Sequence, residues 1–259
     1  MKYILLLTVL LSYGALASEL DELTLSPSQI AGMRESADQG HVDNQLNLAN
    51  MYRFGLGVPE DYGEAFKWYI IAADQGHADA QYMLGRSYQF GKGVPIIDTE
   101  AVYWYRLAAD QGHASAQYHL GWIYANVRSY AQNRKEAVKW FRKAADQGNA
   151  RGQTALGVAY DKGRGVPENY AEAVKWFKRA ADQGEANGQF SLGMKYALGE
   201  GIPRNDISAY VWLSMAKTEG KKEAAETLEF VKKRMARQQI AEAQALAIQC
   251  YESGFKDCD

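Results

Sequence analysis

Ala80, Leu84 and Tyr88 fall at i, i+4 and i+8, and Ala116, Leu120 and Tyr124 repeat the stripe. That spacing puts each trio on one face of a helix, helix A. A second stripe, Ala101, Trp104, Tyr105 and Ala108, falls at i, i+3, i+4 and i+7 and predicts helix B. Between them runs Gly91-Lys92-Gly93-Val94-Pro95, matched by Gly55-x-Gly57-Val58-Pro59, Gly163-x-Gly165-Val166-Pro167 and Gly199-x-Gly201-Ile202-Pro203. Glycine accepts the positive φ that ends a helix, and proline keeps its predecessor extended, so each unit is predicted to be a helix hairpin.

The hairpin recurs. Gly40, Gly76, Gly112, Gly148, Gly184 and Gly220 lie 36 residues apart, the first five closing the tetrapeptide Ala-Asp-Gln-Gly. Trp68, Trp104, Trp140, Trp176 and Trp212 keep that interval, as do Leu48, Leu84, Leu120, Leu156 and Leu192. A fixed period of this size marks a solenoid, whose units bury their apolar faces only by stacking. Five units are read: 41–76, 77–112, 113–148, 149–184 and 185–220. Gly85, Gly121, Gly157 and Gly193 follow the helix A leucines. Such a glycine costs about 1 kcal/mol relative to alanine, which close approach of helix B is expected to offset. The tryptophans are read as the wedges between repeats, each indole contributing on the order of 5 kcal/mol by buried area.

The ends of the array depart from the pattern. Ser26-Pro27-Ser28-Gln29 reads as a helix start with a capping box, and the helix runs to about Ala37 with Gly32 in the tryptophan slot. Residues 18–40 are therefore a lead-in and a capping half-repeat. Past Gly220, Lys232 stands in the tyrosine slot and Ile248 in the tryptophan slot, so 221–259 reads as closing helices and a tail. In repeat 3 the glycine turn gives way to Val127–Arg134, either a contact loop carrying Arg128, Tyr130 and Arg134 or drift at a surface turn.

Met1 to Ala17 has Lys2, an apolar run from Ile4 to Leu11 and Ala15-Leu16-Ala17, the layout of a signal peptide cleaved after Ala17. The apolar run falls short of the ~20 residues that span a bilayer, so the mature chain is not expected to cross a membrane. A periplasmic or secreted protein follows. There, the only cysteines, Cys250 and Cys258, read as a disulfide. With 259 residues and a net charge of −2, the chain offers no basic footprint for nucleic acid.

Little here looks like chemistry. His41, His77 and His113 share the slot after the terminal glycine; helices ~8–10 Å apart do not bring such side chains onto one metal, so they read as polar helix starts. Ser214-Met215-Ala216-Lys217 reproduces a Ser-x-x-Lys nucleophile motif but lacks its companion motifs. No catalytic, cofactor or metal site is expected.

Together, Ala, Leu-Gly, Tyr, Gly-x-Gly-Val-Pro, Ala, Trp and Ala-Ala-Asp-Gln-Gly resemble the Sel1-like repeat (SLR) family, relatives of the tetratricopeptide repeats, over residues 41–220. The resemblance implies an all-α, right-handed solenoid serving as a scaffold for a protein or peptide partner, in an exported bacterial member. Aligning helix A with the tetratricopeptide pattern places two positions per repeat on an inner surface. They are Leu46, Tyr82, Tyr118, Thr154 and Phe190, with Asn50, Arg86, Trp122, Val158 and Met194. Aromatics with an arginine make a candidate partner groove. Two rivals stand beside it. One is an enzyme on cell-wall or β-lactam substrates centred on Ser214 and Lys217, as the cysteine-rich members suggest, though their repeated cysteine pairs are missing here. The other is an architectural spacer.

Overall fold

The computed structural model describes residues 25–127, 133–256 and 258. Among them it holds thirteen α-helices and no strand, the all-α repeat architecture that the periodicity predicts. The leader 1–17, the start of the lead-in and the loop residues Arg128 and Tyr130 lie outside the described residues.

The chain divides into two compact units, Met1–Ala108 and Ala109–Asp259. The first holds α1 (Pro27–Asp38), α2 (Val42–Phe54), α3 (Tyr62–Asp74), α4 (Ala78–Phe90) and most of α5 (Asp98–Asp110). The second holds α6 (Ala114–Asn126), α7 (Arg134–Asp146), α8 (Ala150–Asp161), α9 (Tyr170–Ala181), α10 (Ala186–Leu198) and α11 (Asp206–Thr218), closed by α12 (Lys222–Lys232) and α13 (Arg237–Glu252). From α2 to α11 the even-numbered helices are helix A and the odd-numbered ones helix B. Within the second unit each of α6 to α10 packs on the next helix, and successive A helices also touch, α6 with α8 and α8 with α10. That is the stacking of an α-solenoid.

Local signals place the boundaries. At α1 the Ser26 hydroxyl accepts from the Gln29 amide (3.3 Å) and the Gln29 side chain accepts from the Ser26 amide (2.7 Å), the capping box read from the sequence. Asp61, Asn169 and Asn205 cap α3, α9 and α11 through their side-chain oxygens. The second glycine of the turn answers a different need. Gly93 has φ +79°, and a Cβ there would stand 2.2 Å from the Tyr62 carbonyl oxygen. The turn thus lies directly on the start of the preceding helix B, and a side chain would push the two repeats apart.

The residue that meets the helix A glycine is not the tryptophan. A Cβ at Gly85 would meet the Tyr105 ring at 2.5 Å, at Gly121 the Phe141 ring at 2.7 Å, at Gly157 the Phe177 ring at 2.6 Å and at Gly193 the Leu213 side chain at 2.8 Å. The residue filling each gap is therefore the one after the tryptophan, and Tyr69, Tyr105, Phe141, Phe177 and Leu213 are all buried. Trp140 and Trp212 are buried as well, but Trp68, Trp104 and Trp176 are only half-buried. Successive helical residues point about 100° apart, so only one of two neighbours can face the glycine. The tryptophan takes the flank.

A ladder of glutamines ties helix B of one repeat to helix A of the next. Buried Gln45 and Gln81 donate to the carbonyls of Ala37 (3.1 Å) and Ala73 (3.2 Å), and Gln117 and Gln153 to those of Ala109 (3.0 Å) and Ala145 (3.3 Å). The glutamine of Ala-Asp-Gln-Gly holds that side chain from within its own repeat: Gln75 donates to Gln45 (2.7 Å), Gln147 to Gln117 (2.7 Å) and Gln183 to Gln153 (2.8 Å). This is the physical content of that tetrapeptide, and it satisfies polar groups that burial would otherwise penalise. At the end of the array Glu219 replaces the glutamine and has no amide to donate. Gln189, fully buried, is left with both side-chain polar atoms unpartnered among the described residues.

Candidate functional site

Helix A presents the ten predicted groove positions, and the structure gives them unequal roles. In the first unit Leu46 packs against the core, and Asn50 accepts a hydrogen bond from the Tyr69 hydroxyl (2.6 Å). Tyr82 lies against Tyr105, ring centroids 5.9 Å apart, and Arg86 reaches over Tyr82 and Phe90. In the second unit Tyr118 sits beside Phe141, while Trp122 is 40% exposed. Thr154 is buried and donates to Glu185 (2.6 Å); Phe190 lies under the Lys221 ammonium at 5.6 Å. Val158 and Met194 are half-buried.

Clefts open where one hairpin meets the next, and they recur with the sequence period. Between repeats 1 and 2 a cavity of about 150 Å³ is lined by Arg53, Phe54, Tyr62, Tyr69, Met83, Arg86, Phe90 and Lys92. Between repeats 3 and 4 the corresponding slots hold Ala125, Asn126, Arg134, Phe141, Ala155, Val158 and Arg164, which with Trp122, Tyr118 and others line about 210 Å³. Tyr118, Ala155 and Val158 also border a larger cleft of about 780 Å³ with Arg151, Phe190, Glu219 and Lys221. Of the predicted positions in the second unit, Tyr118 and Val158 line both clefts, Trp122 the smaller and Thr154 and Phe190 the larger, and Arg86 joins a separate cleft in the first. Leu46, Asn50 and Tyr82 line none of these three clefts, nor does Met194.

Between repeats 4 and 5 the same slots are occupied from within. Lys195, 5% exposed, pairs with buried Asp161 and with Glu200 (2.6 Å), and its ammonium lies 4.5 Å from the centre of the Tyr170 ring. Burial pushes the Asp161 carboxyl up, but hydrogen bonds from Lys195 and Lys162 outweigh it and hold the group below its ordinary 3.8. Burial opposes the charge on Lys195 too, yet Asp161 and Glu200 raise it above its ordinary 10.5. In the first unit burial pushes the phenols of Tyr69 and Tyr105 up, leaving them hydrogen-bond donors at neutral pH. Neither Asp161 nor Lys195 stood out in the sequence. Their signal is a charge in a slot that holds Arg53 and Ser87 in the first unit.

The remaining motifs fall into structural places. His41, His77 and His113 are N-cap residues, His113 accepting from the Ala116 amide at 3.1 Å. Ser214 and Lys217 share the last turns of α11; Ser214 is half-buried and Lys217 exposed. Arg134, the described member of the variant loop's three candidates, begins α7 and lines the cleft between repeats 3 and 4. Cys250 and Cys258 are buried with their sulfurs at bonding distance, a disulfide-capable pair that ties the tail to α13 beneath α11. No helix among the described residues is long and apolar enough to cross a membrane.

The Sel1 repeat model matches residues 45–77, 78–113, 114–149, 150–185 and 186–221. The chain is similar to the crystal structure of a Sel1 repeat protein from Oxalobacter formigenes, at 33% identity and a TM-score of 0.69, covering 80% of this chain and 79% of that one. It is also similar to c5321, described as a protective antigen of uropathogenic Escherichia coli strains displaying an SLR fold. There the identity is 29% and the TM-score 0.60, over 88% of this chain but only 57% of that one. None of the curated proteins compared with it matches. With the repeat model matched over more than half its length, the chain belongs to the Sel1 repeat family.

Proposed function

We propose that this protein is an exported interaction scaffold, of the bacterial envelope or secreted toward a host partner, whose second unit engages its partner through the cleft around Trp122. One observation carries this reading. A 40%-exposed indole stands at an open cleft beside Tyr118, Val158, Arg134 and Arg164, where a solvent-facing aromatic of that size has no structural need to be. Tryptophan, tyrosine and arginine are the side chains that concentrate binding energy at interfaces. Export is supported by the Met1–Ala17 leader pattern, by the Cys250 and Cys258 pair and by the likeness to a protein described as a protective antigen.

The test is capture from envelope extracts with the full chain as bait. A saturable partner is expected, lost in the Trp122→Ala, Tyr118→Ala double variant while circular dichroism and melting stay unchanged. Equal capture by the folded double variant refutes the assignment. Mass spectrometry of the exported chain, expected to begin at Ser18, tests the leader.

A further inference from the structure

The cleft between repeats 1 and 2 gathers three cations and no acid. Arg53, Arg86 and Lys92 line its cavity of about 150 Å³, and among the described residues no carboxylate does. Among the described residues none of the three has an ion-pair partner there. Arg53 lies over the Phe54 ring (4.5 Å) and donates to the Met83 sulfur (3.1 Å), and Lys92 lies over the Tyr62 ring (4.6 Å). Arg86 has its Nε buried with no hydrogen-bond partner among the described residues. A buried guanidinium N–H without an acceptor is costly, and three like charges around one cavity repel, so the site is incomplete as it stands.

The chain itself shows what completes such a place. Three periods further on, the slots of Arg53, Ser87 and Lys92 hold Asp161, Lys195 and Glu200. The charges are exchanged there and balanced from within, since Lys195 reaches between both carboxylates and over Tyr170. In the first unit small Ser87 stands in the slot of Lys195 and leaves the space empty of any counter-charge.

We propose that the cleft between repeats 1 and 2 is a binding site for the carboxylate of an acidic peptide, supplied by a partner protein. Arg86 and Arg53 are the donors and Lys92 the outer charge; guanidinium groups match carboxylates in geometry. Phe54 and Phe90, 40% and 50% exposed, flank the mouth and accept apolar residues beside the acidic one. This rests on the scaffold reading for its class of partner, but it concerns a different cleft.

The experiment is calorimetric titration of the full chain at low salt with the blocked pentapeptide Ala-Phe-Glu-Phe-Ala, its Gln counterpart and inorganic phosphate. The Glu peptide is expected to bind at least tenfold more tightly than either of the others. Arg86→Met and Lys92→Gln should each weaken it, the first by tenfold or more. The triple variant Arg53→Asp, Ser87→Lys, Lys92→Glu, which copies the self-balanced junction, should fold and not bind. Lys92 is exposed, so its variant stays informative even if Arg86→Met loses its fold. Equal affinity for the Glu and Gln peptides, unchanged binding by a folded Lys92→Gln chain, or tighter binding of phosphate each overturns the proposal. The titration needs no natural partner, so its failure is separable from a failure of capture through Trp122.

Discussion

Lys92 holds its ammonium 4.6 Å from the Tyr62 ring at the junction of repeats 1 and 2, and Lys195 does the same 4.5 Å from the Tyr170 ring at the junction of repeats 4 and 5. The rings occupy one slot of the period, yet the cations arrive from different slots and meet opposite company. Lys195 finds Asp161 and Glu200, whereas Lys92 finds Arg53 and Arg86. The same backbone frame is thus closed by the chain's own charges at one junction and left open at the other. Repetition fixes where side chains stand without fixing what they do: one junction supplies the counter-charge that the other withholds.

The most severe way to break the comparison is Lys195→Met. It strands Glu200 and leaves buried Asp161 to the exposed Lys162 alone, and should cost about 2–3 kcal/mol in urea unfolding, against nearly nothing for a purely surface charge. A loss under about 1 kcal/mol would mean that the network is not structural. Acid should do part of the same reversibly. Because the folded Asp161 titrates below its ordinary 3.8, its contribution is present above that value and is lost as pH falls through the lower folded value. The contribution of Lys195, raised above 10.5, is present below that value and is lost as pH rises through the higher folded one. Amide exchange, corrected for intrinsic rates, should therefore show α8 and α10 opening in acid before α2 and α4. Simultaneous opening would count against the distinction.

Ser87→Lys tests the open junction by adding a fourth cation. A loss of about 1–2 kcal/mol is expected from charge repulsion, recovered when Arg53→Asp and Lys92→Glu are combined with it. Failure of the pair to rescue would show that the two junctions are not interchangeable frames. The smallest effect belongs to Lys92→Gln. It removes one exposed cation from a like-charged cluster and should shift unfolding by no more than about 0.5 kcal/mol in either direction.

Much of this was legible along the chain. The stripes, glycine turns and capping box placed the hairpins, because helix period, positive φ and capping oxygens are local properties. The candidate site was legible in part. Helix A positions Tyr118, Trp122, Val158 and Phe190 do meet at clefts, but Asn50 is bound to Tyr69 and Leu46 is packed inward. The sequence pointed to close approach of helix B at the helix A glycine, but not to which residue makes it; that is the tryptophan's smaller neighbour. A stripe can be assigned to one side of a helix, but a difference of one residue depends on how the partner helix is rotated.

By itself the sequence determined the unit, its length, its turns and the number of times it is stacked, all set by interactions within a few residues or by repetition of them. Only the tertiary structure decided that Gln117 and Gln147 bond to one another, that Lys195 neutralises Asp161, and that Arg53, Arg86 and Lys92 share a cavity with no acid among the described residues that line it. Those facts belong to side chains about one period apart, and charge or hydrogen-bond complementarity between them depends on distances that exist only once the hairpins are packed.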